Sequence, residues 1–96
     1  MFEKIKQLKN LRDQAQQIKS ALEQEVVEGT AHAGSVRIRM NGNQEVLATE
    51  IDSTLIDLQK KDELQNAVAD ATNDAIRKVQ QVMASKMRDM GGFPGM

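Results

Sequence analysis

The 96-residue chain carries 13 Lys and Arg against 14 Asp and Glu, a formal charge of −1, with 40% hydrophobic and only 2% aromatic residues. That length fits one small domain with a thin core, and the absence of cysteine removes disulfide staples, thiolate metal sites and cysteine nucleophiles together. With His32 alone, and Phe2 and Phe93 the only rings, one chain holds neither a Ser-His-Asp arrangement nor a stacking platform for single-stranded nucleic acid.

The first segment, from about Phe2 to Glu25, contains no Gly or Pro, and Leu8, Leu11, Ala15, Ile18 and Leu22 recur at helical spacing. The seam is barely two heptads long, so a helix that packs on something else is expected rather than a free-standing coiled coil. From Val26 the period changes. Val36, Ile38 and Met40 alternate with Arg37 and Arg39, a half-buried strand, and Val46 to Ile51 supplies a return strand. Asn41-Gly42 between them is a hairpin signal, because both residues tolerate positive φ. A loop of two, three or four residues decides whether Leu47 and Ile51, or Val46 and Ala48, share the face of Ile38. Val26-Val27 begins a possible third strand, interrupted at Gly29 and by Ala33-Gly34-Ser35.

From about Lys60 to Met90 the chain is helical again, with Leu64, Val68, Ala71, Ala75, Val79 and Val82 on one stripe. Ala67, Ala69 and Ala71 admit close approach of another backbone. Asp62 and Glu63 near the start, and Lys86 and Arg88 near the end, suit the helix dipole. The expected organisation is a single α+β domain over residues 1–90 in two layers, a small antiparallel meander of two to three strands between two long helices. A mobile Gly/Pro/Met tail follows over 91–96. Helices of ~20–30 residues span roughly 30–45 Å, longer than a compact domain whose radius of gyration should be about 12–13 Å. Either the helices project from the sheet or a partner chain packs along them, and both outcomes favour a homodimer. No apolar run approaches the ~18 residues of a membrane span, and Met1 to Leu22 lacks the core of a secretory signal, so a cytoplasmic protein is expected.

The ordered series Gln14-Ala15-Gln16-Gln17, Val27-Glu28-Gly29, Gly34-Ser35-Val36-Arg37-Ile38, Asn41-Gly42, Glu45-Val46, Ile51-Asp52 and Asn73-Asp74-Ala75-Ile76-Arg77-Lys78 covers nearly the whole chain. In that order it resembles the YbaB/EbfC nucleoid-associated proteins. It departs from them at Ser53, where the family commonly has Pro, and at a less apolar stretch from Gln65 to Ala69. The resemblance implies an intertwined α/β homodimer with helices protruding like tweezers, which binds double-stranded DNA with low or broad sequence preference on the bacterial nucleoid.

The near-neutral total charge means that any such binding rests on local clusters. Lys4, Lys6, Lys9 and Arg12 meet only Glu3 before Asp13, and Ala75 to Arg88 contains no acid. The DNA-binding candidates are Lys4, Lys6, Lys9, Arg12 and Lys19 on the first helix and Arg77, Lys78, Lys86 and Arg88 on the second. Each neutralised phosphate releases counterions and adds affinity. The competing role for a charge run is a solvated helix face. Lys78 has Asp74 four residues before it, a helix-stabilising pair, and Lys4 falls near the apolar seam. Arg37 and Arg39 share one sheet face, where cross-strand pairing with Glu45 or Glu50 is favoured over DNA contact. His32 reads as an exposed loop residue without a role. Asp70, Asn73 and Asp74 on a single helix offer no cage for magnesium. No metal, cofactor, small-molecule substrate or catalytic residue is expected. A prefoldin-like helical clamp, which shares the helix–hairpin–helix order, is the alternative function.

Overall fold

Helix α1 runs over Phe2–Glu23, as its unbroken run of helix formers dictates. Strands β1 (Val26–Ala31), β2 (Val36–Asn41) and β3 (Val46–Ile51) follow, and helix α2 (Lys61–Asp89) closes the fold. These elements come from a computed structural model, which describes residues 2–89. Met90, expected at the helix end, and the 91–96 tail lie outside the described residues. The sheet is an antiparallel meander in the order β1-β2-β3, so the chain is α+β as expected.

The alternation Val36, Ile38, Met40 buries one face of β2 against α2. The helix contributes Ala67, Ala71, Ala75 and Val79, a stripe of strict four-residue spacing. Ala67 thus replaces Val68 at the centre of the expected stripe, and Val68 flanks the core half-buried. The reason is close approach: a Cβ at Gly29 would overlap the Ala71 carbonyl oxygen and the Ala75 nitrogen. Small side chains let the helix lie directly on β1. Gly29 therefore does not interrupt the third strand; β1 continues through it to Ala31 because α2 takes the space that a side chain would occupy. Ala69 of the alanine run faces away and is exposed.

The β2–β3 hairpin forms where expected but by different chemistry. Positive φ falls on Gln44, at 61°, and on neither Asn41 nor Gly42. Asn41 is buried, and its Oδ1 accepts from the N–H groups of Asn43 (3.0 Å) and Glu45 (3.1 Å). Its side chain thereby holds the loop that glycine conformational freedom was expected to shape. Four residues separate the strands, and β3 pairs Thr49 with Ile38 and Ile51 with Val36, with an irregularity beside Met40. The face of Ile38 is thus shared with Thr49 and Ile51, and past the irregularity Val46 stands opposite Met40.

Beyond β3, Asp52 Oδ1 accepts from Thr54 N–H at 3.2 Å and opens a 3₁₀ turn, Ser53–Leu55, that buries Leu55. Ser53 occupies the first position of that turn. A proline would also fit there, having no N–H to leave unpaired. A second 3₁₀ turn, Leu58–Lys60, leads into α2.

The core is thin, as length predicts: eight buried apolar residues among those described, all on β2, α2 or the turn at Leu55. Helix α1 contributes none of them. It meets the body at its C-terminal end, where Gly42 N–H donates to the Leu22 carbonyl (2.8 Å) and Asn43 Nδ2 donates to the Lys19 carbonyl (3.1 Å). The hairpin loop therefore adds donors to the last turns of α1, where the Leu22 carbonyl also accepts from Glu25 N–H at 3.1 Å. Gly42 is needed for space, since a Cβ there would come within 2.7 Å of the Leu22 oxygen. The result is an elongated body of 65 × 25 × 18 Å with a radius of gyration of 18.6 Å.

Candidate nucleic-acid interface

The two helices present their cations very differently. Lys4, Lys6, Lys9, Arg12 and Lys19 all stand on α1, every residue of which is exposed from Glu3 to Ala21. No ion pair joins any of the five to a carboxylate among the described residues. Arg12 and Lys19, seven residues apart, run beside the apolar stripe of Leu8, Leu11 and Ile18. Nothing in the described chain covers that stripe, and Leu8 and Leu11 are 67% and 62% exposed.

On α2 most cations are engaged. Lys78 Nζ donates to the Glu28 carbonyl of β1 at 2.7 Å and lies 3.2 Å from Asp74 Oδ2. The same Asp74 oxygen accepts from Thr30 N–H at 2.9 Å. That backbone bond, then Lys78, holds the Asp74 carboxyl below its usual range. Lys86 Nζ lies 2.8 Å from Glu25 Oε1, and this hydrogen-bonded carboxylate raises the Lys86 ammonium. Arg77 is 3.6 Å from Asp74 Oδ1, but its side chain stays 64% exposed. Arg88 is exposed with no ion pair among the described residues.

On the open face of the sheet, Arg37 Nε donates to Glu50 Oε2 at 3.1 Å, and Glu28 lies 3.9 Å away. The hydrogen-bonded pair raises the guanidinium and lowers the Glu50 carboxyl. Cross-strand pairing is thus what Arg37 does. Arg39 stands opposite Glu28 and Ala48 in register, without an ion pair among the described residues, and Glu45 bonds to Asn41 instead. His32, at φ 56° in the β1–β2 turn, is half-exposed and 3.9 Å from Glu63. Among the described residues no group of three or more His, Cys, Asp or Glu is placed to hold a metal ion, and no helix is long and apolar enough to cross a membrane.

The sequence reading missed the parts that aim α1. Gly42, Asn43 and Glu25 connect its C-terminal end and the turn beyond it to the hairpin loop and to α2. Only the Asn-Gly signal pointed to that loop, and it pointed to turn geometry rather than to a socket.

The sequence model of the YbaB/EbfC DNA-binding family matches residues 1–93. The chain belongs to that family. YbaB/EbfC relatives include a nucleoid-associated protein of Dictyoglomus thermophilum, 38% identical over 97% of this chain and 90% of its own length. Another, from Syntrophobacter fumaroxidans, is 33% identical over 99% of this chain and 89% of its own length. Among solved structures, an uncharacterized protein HP0035 from Helicobacter pylori shares the fold with a TM-score of 0.67 at 20% identity, over 86% of this chain and 96% of that one. A YbaB/EbfC chain is a DNA-binding protein and not an enzyme.

Proposed function

We propose that this chain binds double-stranded DNA with low or broad sequence preference, as a homodimer on the bacterial nucleoid, and thereby affects nucleoid organisation or gene expression. The observation that carries the reading is α1, an exposed helix with five cations and no ion-paired carboxylate. Lys4, Lys6, Lys9, Arg12 and Lys19 form the main grip, with Arg77 and Arg88 reaching from α2. Lys78 and Lys86 are secondary, because phosphate must compete there with Asp74 and Glu25. Cations that reach phosphates without base-edge contacts give affinity without sequence readout.

The homodimer reading rests on surface that one chain leaves bare. The stripe on α1, together with Leu47 and Ile51 on β3 and Ile56 and Leu58 beyond it, is exposed. Strand β3 is also an edge, with unpaired backbone groups along one side. A second copy paired at β3 would cover that edge and the apolar residues beside it.

Retardation of unrelated random-sequence duplexes, measured from about 50 to 300 mM salt alongside the mass in solution, tests both statements. Affinity that falls steeply with salt and is similar for all duplexes, with a two-chain mass, is the expected result. Salt-independent retardation contradicts phosphate contact, and a one-chain mass contradicts the dimer. Suppression of client aggregation without DNA binding would favour the helical-clamp alternative.

A further inference from the structure

A three-stranded meander has two edges, and this one treats them differently. Along β3 the outer backbone groups have no partner among the described residues. Along β1 the outer groups of Thr30 and Glu28 are taken by side chains of α2. Asp74 accepts from the Thr30 N–H at 2.9 Å, and Lys78 donates to the Glu28 carbonyl at 2.7 Å. The two side chains stand one helical turn apart and are 3.2 Å from each other. They occupy one donor and one acceptor of the strand, the groups through which an added strand would pair. Val26, Glu28 and Thr30 are exposed on the open face of the sheet, while α2 packs on the other face of β1 at Gly29.

We propose that Asp74 and Lys78 are an edge guard, which denies β1 to a second copy of the chain and so confines strand pairing between copies to β3. One self-complementary edge closes a two-fold pair, whereas two open edges let each pair recruit the next without limit. Close packing at Gly29 sets the guard's reach, because it brings Asp74 and Lys78 beside the strand. This gives the Asn73-to-Lys78 segment a task separate from phosphate binding. The consequence for assembly rests on the β3 dimer proposed above.

The test is the mass of the DNA-free Asp74→Ala/Lys78→Ala variant by sedimentation, across a concentration series and against the parent chain. The variant is expected to form larger species that grow with concentration, where the parent stays closed. Adding Thr30→Pro removes the outward N–H with a residue that edge strands tolerate. That triple variant is expected to return to the parent mass. An unchanged mass in the double variant overturns the guard, and so does a gain that survives Thr30→Pro. If the double variant loses its helical signal, Asp74→Ser/Lys78→Gln keeps polar side chains on the helix while shortening both reaches to β1, and an unchanged mass there overturns the guard equally. A parent chain that sediments singly contradicts β3 pairing instead; the guard is read from the difference between variant and parent.

Discussion

Lys86 Nζ lies 2.8 Å from Glu25 Oε1, joining the far end of α2 to the two-residue connection between α1 and β1. That connection determines where α1 points, so the pair steadies the aim of the helix rather than its formation. Both partners are partly exposed, and screening keeps such a pair weak. Replacing Glu25 by Ala should leave the urea midpoint within error of the parent. It also frees Lys86 for phosphate and should strengthen duplex binding slightly at low salt. Weaker binding would show that the aim of α1 matters more than the added cation.

Gly29 allows α2 to rest on β1 with no side chain between them. Gly29→Ala would drive a methyl group into the Ala71 and Ala75 backbone, and overpacking of this kind costs about 3 kcal/mol. For a core of eight apolar residues that is a large share of the total stability. Chemical denaturation should show a markedly lower midpoint, with the parent's helical content retained in the folded baseline.

Asp74 has a folded-state pKa below its ordinary value, set first by the Thr30 N–H and then by Lys78. Between the two pKa values the unfolded chain binds more protons, so stability rises with pH. The contribution is complete above the ordinary carboxylate range and is lost as pH falls through the folded value. Glu50, lowered by Arg37, acts in the same direction. Urea midpoints measured from pH 5 to about pH 2 should fall less steeply for Asp74→Asn than for the parent. Parallel acid limbs would contradict the assignment.

Periodicity made the scaffold legible. The alternation Val36, Ile38, Met40 and the helical stripes of α1 and α2 are local patterns, and they placed both helices and the β2–β3 hairpin within a residue or two, whereas β1 was legible only as a possible strand broken at Gly29. What the sequence hid is non-local. Nothing near Lys78 announces the Glu28 carbonyl, and nothing near Lys86 announces Glu25, because these meetings depend on how α2 lies across the sheet. In the sequence Gly29 and Gly42 signal only local backbone conformation, whereas in the fold both yield space to a neighbouring helix. Charge clusters were visible as runs, but which cations remain unpaired is a tertiary property, and only α1 keeps its whole set exposed.

Helix α1 is the proposed grip, and its cations offer the most direct test. Log affinity for a random duplex against log salt should be a straight line whose slope counts phosphate contacts. Lys9→Ala/Arg12→Ala should weaken binding to all duplexes alike and flatten the slope by about two contacts per chain, with mass and unfolding midpoint unchanged. Arg77→Ala/Arg88→Ala should flatten it less, because Arg77 already shares Asp74. A parent-like slope in the α1 variant would contradict the account, since the exposed cations of that helix would then hold no phosphate.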